Sequence, residues 1–216
     1  MDTPTLVLLH GAGSTHDAWA PQIGPLSDHF DVIAPDLPGY GSSPGPFTLD
    51  RAVDSLAELV RGRVHLCGLS AGAVVALRFA AVHPDAVESL ILSGVQVRPP
   101  RLAMAAQNLV MTLLPASRLS TPDGGVTKAG MLTALRELGK VDLYPDLPKV
   151  KARTLVVCGS RDRVNLPAAR KAASGIAGAE LRVIPGAGHL WNGEQPDLFN
   201  RMVLEWALGS VNPAAD

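Results

Sequence analysis

Val64-His65-Leu66-Cys67-Gly68-Leu69-Ser70-Ala71-Gly72-Ala73-Val74-Val75-Ala76-Leu77 is an apolar run that passes through a G-x-S-x-G pentapeptide into a stretch of small residues. The first part predicts a strand over 64–67 and the last a helix over 71–82. A serine at so sharp a strand-to-helix turn must take strained backbone angles. Gly68 and Gly72 remove the side chains that would collide around it. The pentapeptide alone is a weak pattern in a chain rich in Ala and Gly, but here it has the strand before it and the helix after it that the turn requires. Ser70 is therefore a candidate nucleophile, against the plainer reading of a helix cap.

Outward from this turn, short β-branched or Leu-rich runs recur at 5–9, 31–35, 87–92, 154–158 and 181–184, with helical stretches at 18–29, 49–61, 167–177 and 196–208 between or after them. Continuous apolar strands alternating with helices predict an α/β fold, a mostly parallel sheet of about six strands covered on both faces. The 216 residues, 47% hydrophobic and 18% charged, suit one core and one domain spanning 1–216. One segment breaks the alternation. Between the fourth and fifth strands the chain spends far more than one crossover helix, which predicts a small helical insert over 97–150. Its first helix, 101–114, spaces Leu102, Ala106, Leu109, Val110 and Leu113 helically, and a second runs over 127–138 beyond the loop Ser120-Thr121-Pro122-Asp123-Gly124-Gly125. Any one of Met104, Met111 and Met131 reads as core filling; as a group they fit a compact apolar lid. Met104, Met111 and Leu190 are the candidate pocket residues.

Nineteen Lys plus Arg against 20 Asp plus Glu leave a formal charge of −1 with no block of like charge, which argues against a nucleic-acid partner. Met1-Asp2-Thr3-Pro4 carries no basic leader, and the apolar run 6–9 is too short for a signal core or a membrane span, so a cytoplasmic protein without membrane association is expected. Cys67 and Cys158 each lie in an apolar run before a Gly, which predicts buried free thiols in separate strands; neither metal nor disulfide is expected.

A serine hydroxyl is a poor nucleophile at neutral pH, so Ser70 needs a base and a group that orients the base. Of the six histidines, His189 alone follows a strand through a flexible turn, Pro185-Gly186-Ala187-Gly188, at the sheet's carboxyl end, where open α/β sheets place their sites. His65 falls at the opposite end, His29 and His83 end helices, and His16 sits in a polar loop. Asp162, directly after Val156-Val157-Cys158-Gly159-Ser160-Arg161, lies between Ser70 and His189 in chain order and at a strand's carboxyl end. Asp36 reads as a turn former. Two backbone donors are expected to face a developing oxyanion: the amides of Ala71, at the start of the 71–82 helix, and of Ala12, in the turn His10-Gly11-Ala12-Gly13. That turn lacks the glycine spacing of a dinucleotide fingerprint and the Lys-Ser/Thr of a P-loop. Arg98, Arg161 and Arg163 fall near the expected mouth, where loop arginines are ordinarily solvated.

His10-Gly11-Ala12-Gly13, Asp36-Leu37-Pro38-Gly39-Tyr40-Gly41-Ser42-Ser43, Gly68-Leu69-Ser70-Ala71-Gly72, Gly159-Ser160-Arg161-Asp162 and Gly186-Ala187-Gly188-His189 follow one another across nearly the whole chain. In this the chain resembles the α/β-hydrolase fold superfamily, close to its small cofactor-free esterase and lipase-like branch. The resemblance implies a Ser70-Asp162-His189 triad and a serine hydrolase cleaving a carboxylic ester, thioester or lactone of an apolar acyl group. The alternative it leaves open is carbon-carbon bond hydrolysis, or lyase, cyclase or cofactor-free oxygenase chemistry resting on His189 and Asp162. No cofactor is expected. The β-hairpin that members usually carry before the His-Gly strand is missing, so strand 31–35 is expected at a sheet edge. Weak homodimerisation, or cover from the tail 211–216, is the expected consequence.

Overall fold

The computed structural model describes residues 3–121 and 124–209, with side chains throughout except at 101–103. The expected cover from 211–216, Pro122 and Asp123 of the expected loop, and the side chain of Leu102 therefore lie outside the described residues. Among the described residues, six strands, β1 (Thr5–Leu9), β2 (Asp31–Ile33), β3 (Val64–Leu69), β4 (Val87–Ser93), β5 (Arg153–Gly159) and β6 (Glu180–Ile184), form one sheet in the order β2-β1-β3-β4-β5-β6. Every pairing is parallel. The helices are α1 (Ala20–Ser27), α2 (Leu49–Leu59), α3 (Ala71–Val82), α4 (Arg101–Leu113), α5 (Lys128–Leu138), α6 (Leu166–Gly175), α7 (Trp191–Glu194) and α8 (Pro196–Leu208).

The twofold alternation of strand side chains splits the apolar runs between two cores. Val7, Leu9, Leu66, Leu90, Leu92 and Val156 pack with α2, α3 and α6 on one face. Leu6, Leu8, Leu69, Ile91, Leu155 and Val157 pack on the other with Trp19, Leu26 and, from α8, Phe199, Val203 and Trp206. Because both faces are covered over the centre of the sheet, β1, β3, β4 and β5 read as largely hydrophobic runs, while the edge strands β2 and β6 stay partly open to solvent. Each fully buried Leu or Val contributes about 1.5–3 kcal/mol. Cys67 and Cys158 are free and buried in the cores on opposite faces of the sheet. Burial pushes the Cys158 thiol up to about 12 and raises that of Cys67 as well.

Helix α3 is apolar nearly all round because it lies against the middle of the sheet, with only Arg78 and Val82 outside its buried set. Its small residues allow a close approach to β1 and β3. A Cβ on Gly72 would stand 2.0 Å from the Leu9 carbonyl oxygen, and one on Gly68 2.4 Å from that of Gly72.

Several ends depart from the sequence reading for local reasons. The helix expected at 18–29 opens as a 3₁₀ turn, His16–Trp19, and becomes α-helical at Ala20, with Pro21 in the first turn where its missing N–H costs nothing. α2 stops at Leu59, with Val60 extended and Gly62 at φ +75°. β2 stops at Ile33, before Pro35, which has no N–H to give. In the sheet it pairs with β1 alone, leaving it at an edge.

The insert between β4 and β5 divides in two. Val97, Leu143, Leu147 and Val150 belong to the same core as α3, and the Arg78 Nε of α3 lies 2.8 Å from Asp146 Oδ2. α4 stands out on α5. The stripe Leu109, Val110 and Leu113 faces solvent, 62%, 55% and 77% exposed, because α4 turns Met104 and Met111 toward the interior instead. Among the described residues no helix is long and apolar enough to cross a membrane.

Candidate active site

In a parallel sheet every strand delivers its carboxyl end to the same edge, and the loops after β3, β4, β5 and β6 bring Ser70, Gly94, Asp162 and His189 together there. Ser70 is the one non-glycine residue with positive φ among the described residues, at φ 56° and ψ −112°. Such a conformation costs a serine about 1–3 kcal/mol, and it is held on both sides. The Ser70 N–H donates to Ser93 O at 2.8 Å, and Ser70 O accepts the N–H groups of Ala73 and Val74 at 3.0 and 3.1 Å. The turn after β1 closes against it, since a Cβ on Gly11 would lie 3.4 Å from Ser70 Cβ. Ala12 is the next residue of that turn. Ala71, whose N–H is among the free donors of the first turn of α3, lines the same cavity as Ser70.

His10 fixes the turn from beneath. Fully buried, its Nδ1–H donates to Gly11 O at 2.9 Å and its Nε2 accepts the Leu37 N–H at 2.9 Å. Burial pulls its pKa below the ordinary imidazole value, keeping the ring neutral. At the rim, His16 donates to Asp36 Oδ1 through its backbone N–H at 2.8 Å and through Nδ1–H at 2.9 Å, while Ser42 N–H donates to Oδ2 at 3.1 Å. Asp36 is thus the turn former that the sequence suggests. The ring's bond to Asp36, and the charge of Asp36, raise the His16 pKa. Burial would raise that of Asp36, but the bonds from His16 and Ser42 outweigh it and lower the value. His16, with its folded pKa above the unfolded one, contributes stability that is complete below about pH 6.5 and lost as pH rises through the folded value. Asp36, shifted down, contributes above about pH 4 and loses its share as pH falls through its lowered value. The melting-temperature gap between wild type and His16→Ala is therefore expected to be wider at about pH 5.5 than at about pH 8.5; thermal unfolding at the two values checks it.

His189 Nδ1–H donates to Asp162 Oδ2 at 2.6 Å, with the Asp162 side chain 5% exposed. Burial pushes the Asp162 pKa up, but hydrogen bonds from His189 and Asn165 and the His189 charge outweigh it, and the value falls. The loop carrying His189 is anchored by Trp191, whose indole N–H donates to Ser93 Oγ at 3.0 Å. Ser93 therefore ties the Ser70 turn and the His189 loop to one point. Among the described residues no hydrogen bond joins Ser70 Oγ to His189; both side chains open on a shared cavity of about 580 Å³. Catalytic hydrogen bonds of ligand-free sites commonly tighten only when substrate binds.

Met104 and Met111 line this cavity, with Val74, Leu135, Leu138 and Val164. Leu190 does not: it precedes α7 and is 57% exposed, because the Trp191 anchor turns the chain away from the cavity directly after His189. Arg98 pairs with Asp142 and stacks on Tyr144, and Arg161 pairs with Glu194, so neither reaches inside. His65 is occupied with Ser89 Oγ at 2.9 Å. Among the described residues no three His, Cys, Asp or Glu side chains gather as metal ligands.

Three residues escape the sequence reading. Asn165 and Gln96 bond into the Asp162 pair. Gly94, at φ +61°, leaves the room that His189 fills: a Cβ there would stand 2.9 Å from His189 Cε1 and 3.1 Å from Nδ1. Gly94→Ala is accordingly expected to push the ring off Asp162 and lower kcat/KM about a hundredfold, read in steady-state kinetics on a substrate the wild type turns over, with a folded circular-dichroism spectrum.

A strained serine between β3 and α3, facing a carboxylate-imidazole pair across the carboxyl edge of a doubly covered parallel sheet, defines a class of α/β enzyme. The chain belongs to the alpha/beta hydrolase family, whose model matches residues 6–202. It is 27% identical over 94% of its length to 86% of the 2-hydroxy-6-oxononadienedioate/2-hydroxy-6-oxononatrienedioate hydrolase of Escherichia coli. It is similar to the crystal structure of an enol-lactonase from Burkholderia xenovorans, with a TM-score of 0.85 and 25% identity, covering 96% of this chain and 92% of that one. It is also similar to a thermophilic esterase from Thermogutta terrifontis, with a TM-score of 0.77 and 29% identity, covering 97% and 92%.

Proposed function

We propose that the chain hydrolyses a carboxylic ester, thioester or lactone with an uncharged, apolar acyl part through an acyl-enzyme on Ser70. The observation that carries this reading is the strained Ser70 opening on the same cavity as the His189-Asp162 pair. In the first half-reaction, Ser70 Oγ attacks the acyl carbon as its proton passes to His189 Nε2. Asp162, bonded to Nδ1–H, orients the ring and balances the imidazolium. The N–H groups of Ala12 and Ala71 hold the oxyanion. The bond to the leaving oxygen or sulfur breaks, and His189 returns the proton to it. Water then attacks the acyl-enzyme, gives its proton to His189, and the acid departs as Ser70 regains its hydrogen.

The lactonase and esterase likenesses favour this chemistry. The choice of an uncharged acyl part rests on the lining, among whose described side chains there is no Lys or Arg to neutralise a carboxylate. A panel of p-nitrophenyl esters tests both claims. Neutral acyl esters are expected to be turned over at least about tenfold faster in kcat/KM than analogues carrying a terminal carboxylate. Equal rates would contradict the uncharged pocket, and no turnover of any ester, thioester or lactone would contradict the reaction class. The likeness to the Escherichia coli 2-hydroxy-6-oxononadienedioate/2-hydroxy-6-oxononatrienedioate hydrolase favours a second reading, in which His189 and Asp162 move protons for carbon-carbon bond cleavage or lyase, cyclase or oxygenase chemistry. Retained turnover in Ser70→Ala with loss in His189→Ala would select it.

A further inference from the structure

The Asp162 carboxylate is met by two side chains. Beside His189, the Asn165 Nδ2 amide lies 2.9 Å from both Asp162 Oδ1 and Oδ2, and the Asn165 backbone N–H donates to Oδ1 at 3.3 Å. Gln96 fixes which way that amide faces: its Nε2 donates to Asn165 Oδ1 at 2.7 Å and to Val164 O at 3.3 Å. Turned over, Asn165 would set its oxygen against a carboxylate and its NH2 group against another. Gln96 and Asn165 both line the cavity that holds Ser70 and His189.

We propose that Asn165, oriented by Gln96, is a positioning residue that sets the proton affinity of His189 through Asp162. Two effects act in the same direction. A carboxylate that shares its lone pairs with the Asn165 donors has less charge to offer an imidazolium that bonds to it beside them. Asn165 Nδ2 also lies 3.1 Å from His189 Nδ1; with Nδ1–H committed to Asp162, this contact turns the positive end of the amide toward the ring and disfavours its protonated form. Asn165 thus competes with the imidazolium for the Asp162 charge while holding the carboxylate in place. Few other titratable groups bear on the pair. Cys158, on β5, has its Sγ 3.8 Å from Asp162 O and stays a thiol at neutral pH. Arg161 is paired with Glu194, and Arg163 and Arg170 are exposed. Among the described side chains, those from β4, α4 and α5 that line the cavity are uncharged.

The test compares full-length wild type with Asn165→Leu, Asn165→Ser and Gln96→Leu. The His189 ring Cε1–H is titrated by NMR, assigned by its absence in His189→Ala, and kcat/KM against pH is recorded for an ester the wild type turns over. In Asn165→Leu the His189 titration and the acid limb of kcat/KM are both expected to move to higher pH, and the plateau to fall about tenfold to a hundredfold. Gln96→Leu is expected to shift both in the same direction by less, and Asn165→Ser, which keeps a donor, to recover part of the loss. If Asn165→Leu does not fold, Gln96→Leu and Asn165→Ser carry the same comparison. Variants that fold but leave the His189 titration unmoved would overturn the proposal, since a purely structural Asn165 lowers the melting temperature without shifting that midpoint. The kinetic arm rests on the proposed ester hydrolysis, whereas the NMR arm does not: a wild type inactive on every ester would defeat that reading and leave this one decided by the titration.

Discussion

His189→Ala is expected to lower kcat/KM for any ester the enzyme turns over by about 10⁴-fold or more, while its stability changes by less than about 1 kcal/mol. The two halves of this result have separate causes. The imidazole is the proposed carrier of the proton between Ser70, leaving group and water, and no other imidazole lines the cavity to replace it. Its side chain is 35% exposed, however, so its removal forfeits little packing, and Asp162 keeps the Asn165 donors at 2.9 Å. Since a nucleophile and its base act as a unit, Ser70→Ala is expected to cost about as much, and the double variant hardly more. Steady-state kinetics beside thermal unfolding of the three variants checks both halves.

Gly72→Ala is the substitution with the largest expected effect on the fold. The added Cβ would stand 2.0 Å from Leu9 O, 2.5 Å from Leu9 C and 2.7 Å from His10 O. All three atoms are backbone, and they join the end of β1 to the turn beside Ser70, so no side chain can swing aside. α3 would have to move off the sheet, opening the core that Val74, Val75 and Leu77 fill. A loss of more than about 4 kcal/mol is expected, most of the stability of an ordinary domain. Urea unfolding, or the soluble yield where unfolding is complete, measures it. Gly193→Ala is the control: nothing lies within 4 Å of its Cβ position, so its effect should stay within about 0.5 kcal/mol.

The same crowding explains why the fold was legible from the chain. Gly68 and Gly72 are imposed by contacts below van der Waals distance between α3, β1 and β3, and such contacts leave a mark in sequence as glycines at fixed offsets from Ser70. The central strands were legible because both their faces are buried, and the places of Ser70, Asp162 and His189 because each lies in the loop or turn that follows a strand's carboxyl end. Asn165, Gln96 and Gly94 were not legible, since their parts arise where the loops after β4 and β5 meet, and no periodicity records a contact between loops. The apolar stripe of α4 misled for a related reason: helical spacing shows that a face is apolar without saying what lies opposite, and here Leu109, Val110 and Leu113 face solvent. Leu190 was read as a pocket residue from its nearness to His189 in sequence, but the bond from Trp191 to Ser93 Oγ turns the chain away within one residue.

A fluorophosphonate probe, followed by peptide mass spectrometry, tests the central claim most directly. Such a probe reacts with a serine whose hydroxyl is activated by a neighbouring base and whose oxyanion is held by donors. The account predicts one adduct, on the peptide carrying Ser70, absent in Ser70→Ala and formed far more slowly in His189→Ala. No adduct on the folded wild type, or equal labelling of Ser70→Ala, would contradict it.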